Sequence, residues 1–323
     1  MAARHACETK GYGQCRYSSE EGRRTVRSGQ RPAFSDLERR PDNDRHRFNR
    51  SIDPKILNFP DAGWIDPRIT HSGDQDQQTA PSRIPPAGIW RGTVTDGDVV
   101  LAARVHGALR DAADPARAPR MQAYMRSAMP FLGVPVPAVR AIVRTEAKAR
   151  PPSGTAALAG TAALLWRSAE YREHRYAATA LTNLPMTRRL QTPGLLPLYR
   201  EMIVTGAWWD HVDEVAHRIG ALLRDFPDDL RPVVLEWSRD GDRWLRRVSI
   251  ICQLGAKQRT DVALVAEAIV ANLADKDFFV RKAIGWALRD YARTNPDWVR
   301  AFVASHDDTI SPLSRREALK HLC

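Results

Sequence analysis

The chain has 323 residues, enough to bury a sizeable core within one large domain or two smaller ones. Its 49 lysines and arginines against 38 aspartates and glutamates give a formal net charge of +11, which favours a polyanionic partner, nucleic acid before anionic membrane. The four cysteines lack CxxC spacing, which argues against a disulfide scaffold or a zinc site. The chain also lacks an apolar run of about 18 residues, the length that a membrane span requires. We therefore expect a cytoplasmic protein.

Residues 1–95 have little apolar periodicity and many Pro, Gly and Ser residues, so they cannot bury enough surface to offset the loss of chain entropy. We predict a disordered extension here. A basic tail that helps to hold a polyanion is an alternative, suggested by Arg39, Arg40 and residues 45–47, although 12 acidic residues among 16 basic ones weaken it. A start codon near residue 95 is a third interpretation.

Residues 96–323 read as continuous helix, and nothing in them reads as a strand. The run Gly-Val-Pro-Val-Pro at residues 133–137 stops one helix and starts the next, with proline near the first turn. The predicted helices cover residues 99–113, 117–129, 137–148, 155–169, 173–182, 193–205, 208–224, 230–238, 243–254, 262–273, 277–291 and 296–304, with a capping turn at 314–321.

An internal repeat organises this helical region. Trp209, Trp244 and Phe279 follow one another at intervals of 35 residues, and the residues that flank them match. One more step places residues 314–319 over residues 279–284. A helical period of roughly 30 to 47 residues is typical of stacked helix pairs, in which each pair buries its apolar face against its neighbours. We therefore predict an all-α solenoid, an α-α superhelix with a long concave face.

The helix predicted at residues 208–224 places an aromatic residue beside an acid. Its apolar stripe consists of Val212, Val215, Ala216 and Ile219. Trp209 and Asp213, four residues apart, share a neighbouring face. The plain interpretation is a packing tryptophan next to a solvated charge, and the functional one is a carboxylate held beside an indole ring for chemistry.

The helix predicted at residues 277–291 places Trp286 among cations. The cations on that face are Lys282, Arg289 and Arg293. Cations neutralise phosphates while a ring packs on sugar or base, so this face suits nucleic acid; alternatively, Trp286 belongs to the core and the cations are solvated. In the preceding repeat Arg243 and Arg247 lie four residues apart. Tyr124 is a further aromatic residue, for which a core position is the simpler interpretation.

Five motifs follow one another along the helical region. They are Gln-Ala-Tyr-Met-Arg at residues 122–126 with Pro-Phe-Leu-Gly at 130–133, Trp-Trp-Asp-His-Val-Asp at 208–213, Trp-Leu-Arg-Arg at 244–247, Phe-Phe-Val-Arg-Lys-Ala-Ile-Gly-Trp-Ala-Leu-Arg at 278–289, and Leu-Ser-Arg-Arg-Glu-Ala-Leu-Lys-His at 313–321. In order and spacing these motifs resemble the AlkD-like DNA alkylation repair enzymes. The resemblance runs from about residue 97 to the C-terminus and leaves the first 95 residues unmatched.

The resemblance implies a DNA N-glycosylase built of HEAT-like repeats, a hydrolase of base excision repair that removes cationic alkylpurines such as 3-methyladenine and 7-methylguanine from duplex DNA without flipping them. It places the catalytic carboxylate on Asp213, and the lesion- or sugar-contacting aromatics on Trp209, Trp286 and Tyr124. It implies that Arg247 binds a phosphate, and we expect Arg243, Lys282 and Arg289 to do the same. We expect a monomer without metal, cofactor or membrane partner.

The chemistry of such a reaction agrees with this assignment. A purine alkylated at N3 or N7 is already cationic and leaves readily, so the enzyme need not protonate it. Positive charge develops on the deoxyribose as the glycosidic bond breaks. An aspartate that is charged at neutral pH can stabilise that charge and orient the attacking water, which is the role expected of Asp213.

Two other classes of protein remain open. A noncatalytic DNA-binding repeat protein would use the same basic face, although phosphate binding alone gains nothing from Asp213. A protein-interaction scaffold predicts a concave face without clustered arginine and tryptophan. The sequence contains no P-loop, no GxGxxG after a strand and no HExxH, so nucleotide-binding and metalloprotease signatures are lacking.

Overall fold

The structure, a computed structural model, describes residues 97–322. Within this range the chain forms 13 α-helices and three short 3-10 segments, and it has no strand. The all-α prediction is therefore confirmed. The extension predicted at residues 1–95 lies outside the described residues. None of the described helices is both long and apolar enough to cross a membrane.

The predicted helices correspond one to one with observed helices, and the predicted C-terminal turn is a helix as well. In chain order they are α1 (Val99–Asp111), α2 (Ala118–Met125), α3 (Val136–Ala149), α4 (Thr155–Arg167), α5 (Arg172–Leu181), α6 (Leu196–Gly206), α7 (Trp209–Asp225), α8 (Pro227–Trp237), α9 (Arg243–Ile251), α10 (Val262–Val270), α11 (Phe278–Tyr291), α12 (Pro296–Ser305) and α13 (Pro312–Leu319). The 3-10 segments are Pro185–Leu190, Pro193–Leu195 and Lys257–Arg259. The end of α2 differs most from its prediction, because Arg126 adopts a left-handed conformation with φ of 49° and stops the helix at Met125.

The helices stack as successive pairs. In one row α7 packs on α9, α9 on α11, and α11 most extensively on α13. Of the other helices, α8 packs on α10, and α12 packs against both α11 and α13. The apolar stripe predicted on α7 is buried, with Val212, Val215, Ala216 and Ile219 between 0% and 1% exposed. The stripe prediction is confirmed, and Asp213, Glu214 and Arg218 outside the stripe are buried as well.

The 35-residue repeat is visible in the helix starts. Asp242 caps α9 by accepting hydrogen bonds from the backbone N–H groups of residues 244 and 245, at 2.7 and 3.2 Å. Asp277 caps α11 in the same way, accepting from residues 279 and 280 at 2.8 and 3.1 Å. Caps of this kind satisfy backbone donors that the helix itself leaves unpaired. The same local chemistry therefore starts equivalent helices in successive repeats, which supports the predicted period.

Two glycines allow neighbouring helices to approach closely. A Cβ atom at Gly220 of α7 would lie 1.9 Å from the carbonyl oxygen of Cys252, which follows α9. A Cβ atom at Gly285 of α11 would lie 2.5 Å from the Cβ atom of Glu317 on α13. Real atoms do not approach so closely, so these positions exclude every other residue unless the helices separate. The tight spacing brings polar side chains of successive repeats within hydrogen-bonding distance.

Candidate active site on helices α7, α9 and α11

Asp213 and Arg247 form a paired carboxylate and guanidinium at the centre of the site. The Arg247 Nε atom donates to Asp213 Oδ1 and its Nη2 atom donates to Oδ2, both at 2.7 Å. The Arg247 side chain is 2% exposed and that of Asp213 is 10% exposed. Such a two-bond fork fixes the plane of the carboxylate as well as its position. Asp213 therefore has one orientation, with a narrow edge open to solvent.

Arg247 also ties this pair to α11. Its Nη1 atom donates to the backbone carbonyl of Phe279 at 2.7 Å, and its guanidinium carbon lies 5.1 Å from the centre of the Trp286 ring. A guanidinium over an indole face is a favourable cation–π arrangement. Trp286 is therefore beside the Asp213 and Arg247 pair.

Trp209 starts α7 and lies half-buried one turn before Asp213. The repeat aligned Trp209 with Trp244 and Phe279, but the ring that packs with those two residues belongs to Trp208, at centroid distances of 6.3 and 5.5 Å. Trp244 and Phe279 lie 4.8 Å apart. This aromatic cluster packs at the start of α7, where Trp208 is the N-cap residue. The ring of Trp209 is thus left outside the cluster, on the side of the helix that carries Asp213.

The cations predicted to bind phosphate are each paired with an acid of the protein. Arg243 donates to Asp277 at 3.3 Å, while Lys282 and Arg289 donate to Glu317 at 2.9 and 2.6 Å. These three cations retain exposures of 37%, 18% and 21%.

Arg247 is much less accessible than these three cations. It is 1% exposed, and three of its nitrogen atoms already donate to Asp213 and Phe279. In this arrangement Arg247 holds the carboxylate and does not present itself to a phosphate. The sequence pattern could not distinguish the two roles, because both place an arginine near Asp213.

Tyr124 lies on α2, in a different helical pair from the other candidates. It is half-buried and packs against the core, and burial raises the pKa of its hydroxyl group. The structure thus brings together Asp213, Arg247 and Trp286, with Trp209 on the same helix as Asp213, and places Tyr124 on a separate element. Within residues 97–322 no three His, Cys, Asp or Glu side chains form a group that could hold a metal ion.

A second buried network, which the sequence patterns did not indicate, anchors the start of α7. Arg172 of α5 donates to both carboxylate oxygens of Asp210, at 2.6 and 3.0 Å, and the Tyr176 hydroxyl group donates to the same carboxylate at 2.6 Å. Burial opposes ionisation of Asp210, but the nearby His211 and Arg172 outweigh it and lower the pKa of this carboxyl group. The network fixes the helix one turn before Asp213.

A signal for this network was present in the sequence. Tyr176 and Asp210 are 34 residues apart, and so are Asp213 and Arg247; Lys282 and Glu317 are 35 apart. Polar partners separated by one repeat face each other across neighbouring helices. This spacing marks candidate partners, and packing between the helices decides which of them pair.

Comparison with known proteins agrees with this architecture. The family model described as "DNA alkylation repair enzyme" matches residues 105–322. A solved structure described as a predicted DNA alkylation repair enzyme from Enterococcus faecalis is 28% identical, with a TM-score of 0.60, and the match covers 65% of this chain and 97% of that chain. No curated protein matches the chain. The matched region contains every helix that carries a candidate site residue, and the chain belongs to the DNA alkylation repair enzyme family.

Proposed function

We propose that the chain is a DNA N-glycosylase that hydrolyses the bond between deoxyribose and a cationic alkylpurine in duplex DNA. The observation that carries this proposal is the fixed carboxylate of Asp213, held edge-on by Arg247 beside the Trp286 ring. Membership of a DNA alkylation repair family supports DNA as the substrate. A carboxylate has no use in phosphate binding alone, so its placement favours an enzyme over a passive DNA-binding protein.

Asp213 keeps the capacity to act on a substrate while Arg247 holds it. Each carboxylate oxygen offers about two acceptor positions, and Arg247 occupies one on each. The remaining positions can accept a hydrogen bond from water or face a developing cation. Because the carboxylate is fixed in advance, little reorganisation is needed when charge appears on the sugar.

The proposed reaction is a hydrolysis with a charged leaving group. The bond from C1′ to the purine nitrogen breaks, and its electron pair neutralises the cationic base. Asp213 stabilises the positive charge left on the sugar, a water oxygen bonds to C1′, and the water gives up a proton to Asp213 or to solvent. The products are a free alkylpurine and an abasic site with an intact strand.

The aromatic residues are proposed to contact the damaged nucleotide. Trp209 and Trp286 would face the sugar and the cationic base, where a cation–π contact contributes about 0.5 to 2 kcal/mol. Arg243, Lys282 and Arg289 would bind phosphates of the DNA backbone. Tyr124, in the first helical pair, would contact the lesion or its sugar. The proposal also includes 3-methyladenine and 7-methylguanine as substrates and a monomeric state.

The proposal is tested with duplex DNA that carries a single 7-methylguanine. Wild-type protein should release free 7-methylguanine and leave a strand that breaks only after alkaline treatment. Release without strand breakage identifies a monofunctional glycosylase. Binding to DNA without any release of 7-methylguanine or 3-methyladenine would favour the alternative, a noncatalytic DNA-binding repeat protein.

We also propose that the lesion is excised without being flipped into a closed pocket, unlike the usual arrangement in enzymes that act on bases. The candidate residues lie on neighbouring repeat helices, and α7, α9 and α11 each contribute at least one of them. A site assembled on helix faces sets no wall against a larger adduct. Duplexes with purines that carry groups larger than methyl should therefore also be substrates, and failure to release any of them would contradict this mode of binding.

A further inference from the structure

Glu317 of α13 holds two of the three cations on the Trp286 helix face, Lys282 and Arg289. Its Oε1 atom accepts from Lys282 Nζ at 2.9 Å, and its Oε2 atom accepts from Arg289 Nη1 at 2.6 Å. Trp286 lies between these cations in the sequence of α11. The Glu317 side chain is only 11% exposed, while those of Lys282 and Arg289 are 18% and 21% exposed. The acid therefore lies beneath its partners and the cations lie nearer to solvent.

The backbone keeps Glu317 in this place. At Gly285 there is no room for a side chain against the Cβ atom of Glu317, so α11 and α13 are in close contact. The Ser314 hydroxyl group donates to the carbonyl of Arg281 at 2.8 Å, which fixes the start of α13 against α11. The backbone and Cβ atom of Glu317 are therefore held close to α11, within reach of its two cations.

Glu317 is charged under ordinary conditions. Burial opposes its ionisation, but the hydrogen bond and the charge of Lys282, together with the charge of Arg289, outweigh burial and lower the pKa of this carboxyl group. The three side chains thus carry two positive charges and one negative charge. A phosphate that binds this group must share donors with a carboxylate and is repelled by it.

We propose that Glu317 limits how strongly Lys282 and Arg289 hold the DNA backbone, and so sets how readily the protein leaves undamaged DNA. This inference rests on the proposed function, since it takes the Trp286 face of α11 as part of the DNA-binding surface. Contacts to phosphate are the same for damaged and normal nucleotides, so they add affinity without discrimination. By weakening these contacts on damaged and undamaged DNA alike, Glu317 allows the protein to leave undamaged DNA sooner, while discrimination rests with the residues that contact the lesion.

The test measures the affinity of the full chain for an undamaged duplex by fluorescence anisotropy at several KCl concentrations. Glu317→Gln keeps the size of the side chain and removes its charge. We expect it to bind about 5- to 10-fold more tightly at low salt, with a slope of log affinity against log salt that is steeper by about 0.9, equivalent to one more neutralised phosphate. Because the strengthened phosphate contact is the same in both duplexes, the ratio of affinities for a 7-methylguanine duplex and the undamaged duplex should stay at the wild-type value.

A matched control removes the same charge elsewhere. Glu201 accepts two hydrogen bonds from Arg167, at 2.7 and 2.6 Å, on helices α4 and α6. Glu201→Gln raises the net charge equally, and its salt slope should stay that of the wild type. If Glu317→Gln does not fold, Glu317→Asp supplies the test. It keeps the charge but is too short to reach both cations, and it should tighten binding by a smaller factor.

The outcomes separate this inference from the proposed function. Unchanged or weaker binding by a folded Glu317→Gln would overturn the inference and make Glu317 a clamp between α11 and α13. An equal gain in Glu201→Gln would also overturn it, since net charge alone would then explain the effect. If the wild type shows no salt-dependent DNA binding at all, the proposed function fails first, and Glu317 has no phosphate to compete with.

Discussion

Asp213 on α7 and Arg247 on α9 are joined by two hydrogen bonds of 2.7 Å, although 34 residues separate them in the chain. The distance in sequence is one repeat, so the pair couples two neighbouring repeats at the proposed active site. The positive charge on the sugar exists only while the bond is being cleaved. A carboxylate stabilises such a charge best when it is already held in one orientation.

Removing the arginine should destabilise the protein. Arg247→Ala leaves a largely buried carboxylate without its partner, and breaking such a pair from one side typically costs about 3 to 5 kcal/mol in the free energy of unfolding. Urea denaturation measures this. Arg300→Ala, which removes an exposed arginine paired with Asp297, is the control and should change stability by less than about 0.5 kcal/mol. A loss below about 1 kcal/mol for Arg247→Ala would show that the pair is not the structural link we describe.

Removing the indole of Trp286 should reduce excision. Trp286→Ala removes the ring that stacks on Arg247 and the contact proposed for the cationic nucleotide, so kcat/KM should fall about 2- to 30-fold, and Trp286→Phe should fall less. Trp298→Ala removes a ring that packs against Phe302 on α12 and should leave kcat/KM near the wild-type value in folded protein. Equal losses in the two alanine variants would point to a general effect on folding.

The buried His211 predicts a loss of stability in mild acid. Burial lowers the pKa of His211 to about 3, and its ring packs between Trp166 and Tyr176 at 5.0 and 5.2 Å. Below about pH 6.5 the unfolded chain binds a proton at this residue and the folded chain does not. The free energy of unfolding therefore decreases as the pH is lowered, by up to about 1.4 kcal/mol per pH unit. The loss continues until the pH approaches the pKa in the folded protein.

His211→Phe is the variant that checks this source of acid sensitivity. It keeps an aromatic ring and removes the titrating group, so its unfolding free energy should fall less steeply between pH 6 and pH 4 than that of the wild type. Burial lowers the pKa of a second histidine, His174, to about 4. The His211→Phe variant should therefore retain the part of the pH dependence that comes from His174. The exposed His321→Gln should leave the slope unchanged. A slope in His211→Phe identical to that of the wild type would contradict the prediction.

Two glycines give opposite predictions for the same substitution. Gly220→Ala places a methyl group against the Cys252 carbonyl, so the helices α7 and α9 must separate, and the free energy of unfolding should fall by about 1 to 3 kcal/mol. Gly107→Ala, within α1, meets no atom within 4 Å and should raise stability by about 0.5 to 1 kcal/mol. Thermal denaturation of the two variants separates close packing from helix propensity, and destabilisation of both would refute the distinction.

The sequence was sufficient to predict the helices and the repeat. The spacing of Trp209, Trp244 and Phe279 indicated stacked helix pairs, and the apolar stripe on α7 identified its buried face. Both depend on local periodicity, which a single sequence contains. The end of α2 was predicted four residues too late, because the left-handed conformation of Arg126 is not a preference of arginine.

The polar contacts between repeats could not be predicted in the same way. Arg247 and Lys282 look alike in a list of cations on helix faces, yet Arg247 is 1% exposed and bound to Asp213, while Lys282 remains partly accessible beside Glu317. Which of these roles a cation takes depends on the acid that the next repeat places opposite it. The role is therefore set by packing between helices whose contacting residues are 34 or 35 positions apart in the chain, and not by the helix on which the cation lies.

The central claim is that the charge of Asp213 is required for excision. The most direct measurement is the single-turnover rate of 7-methylguanine release by wild type and by Asp213→Asn, with Asp229→Asn on the exposed start of α8 as the control and DNA affinity measured for each. We predict a loss of at least about 100-fold in Asp213→Asn, with DNA binding retained and the control unaffected. Release by folded Asp213→Asn at the wild-type rate would contradict the account and leave Asp213 with only a structural role beside Arg247.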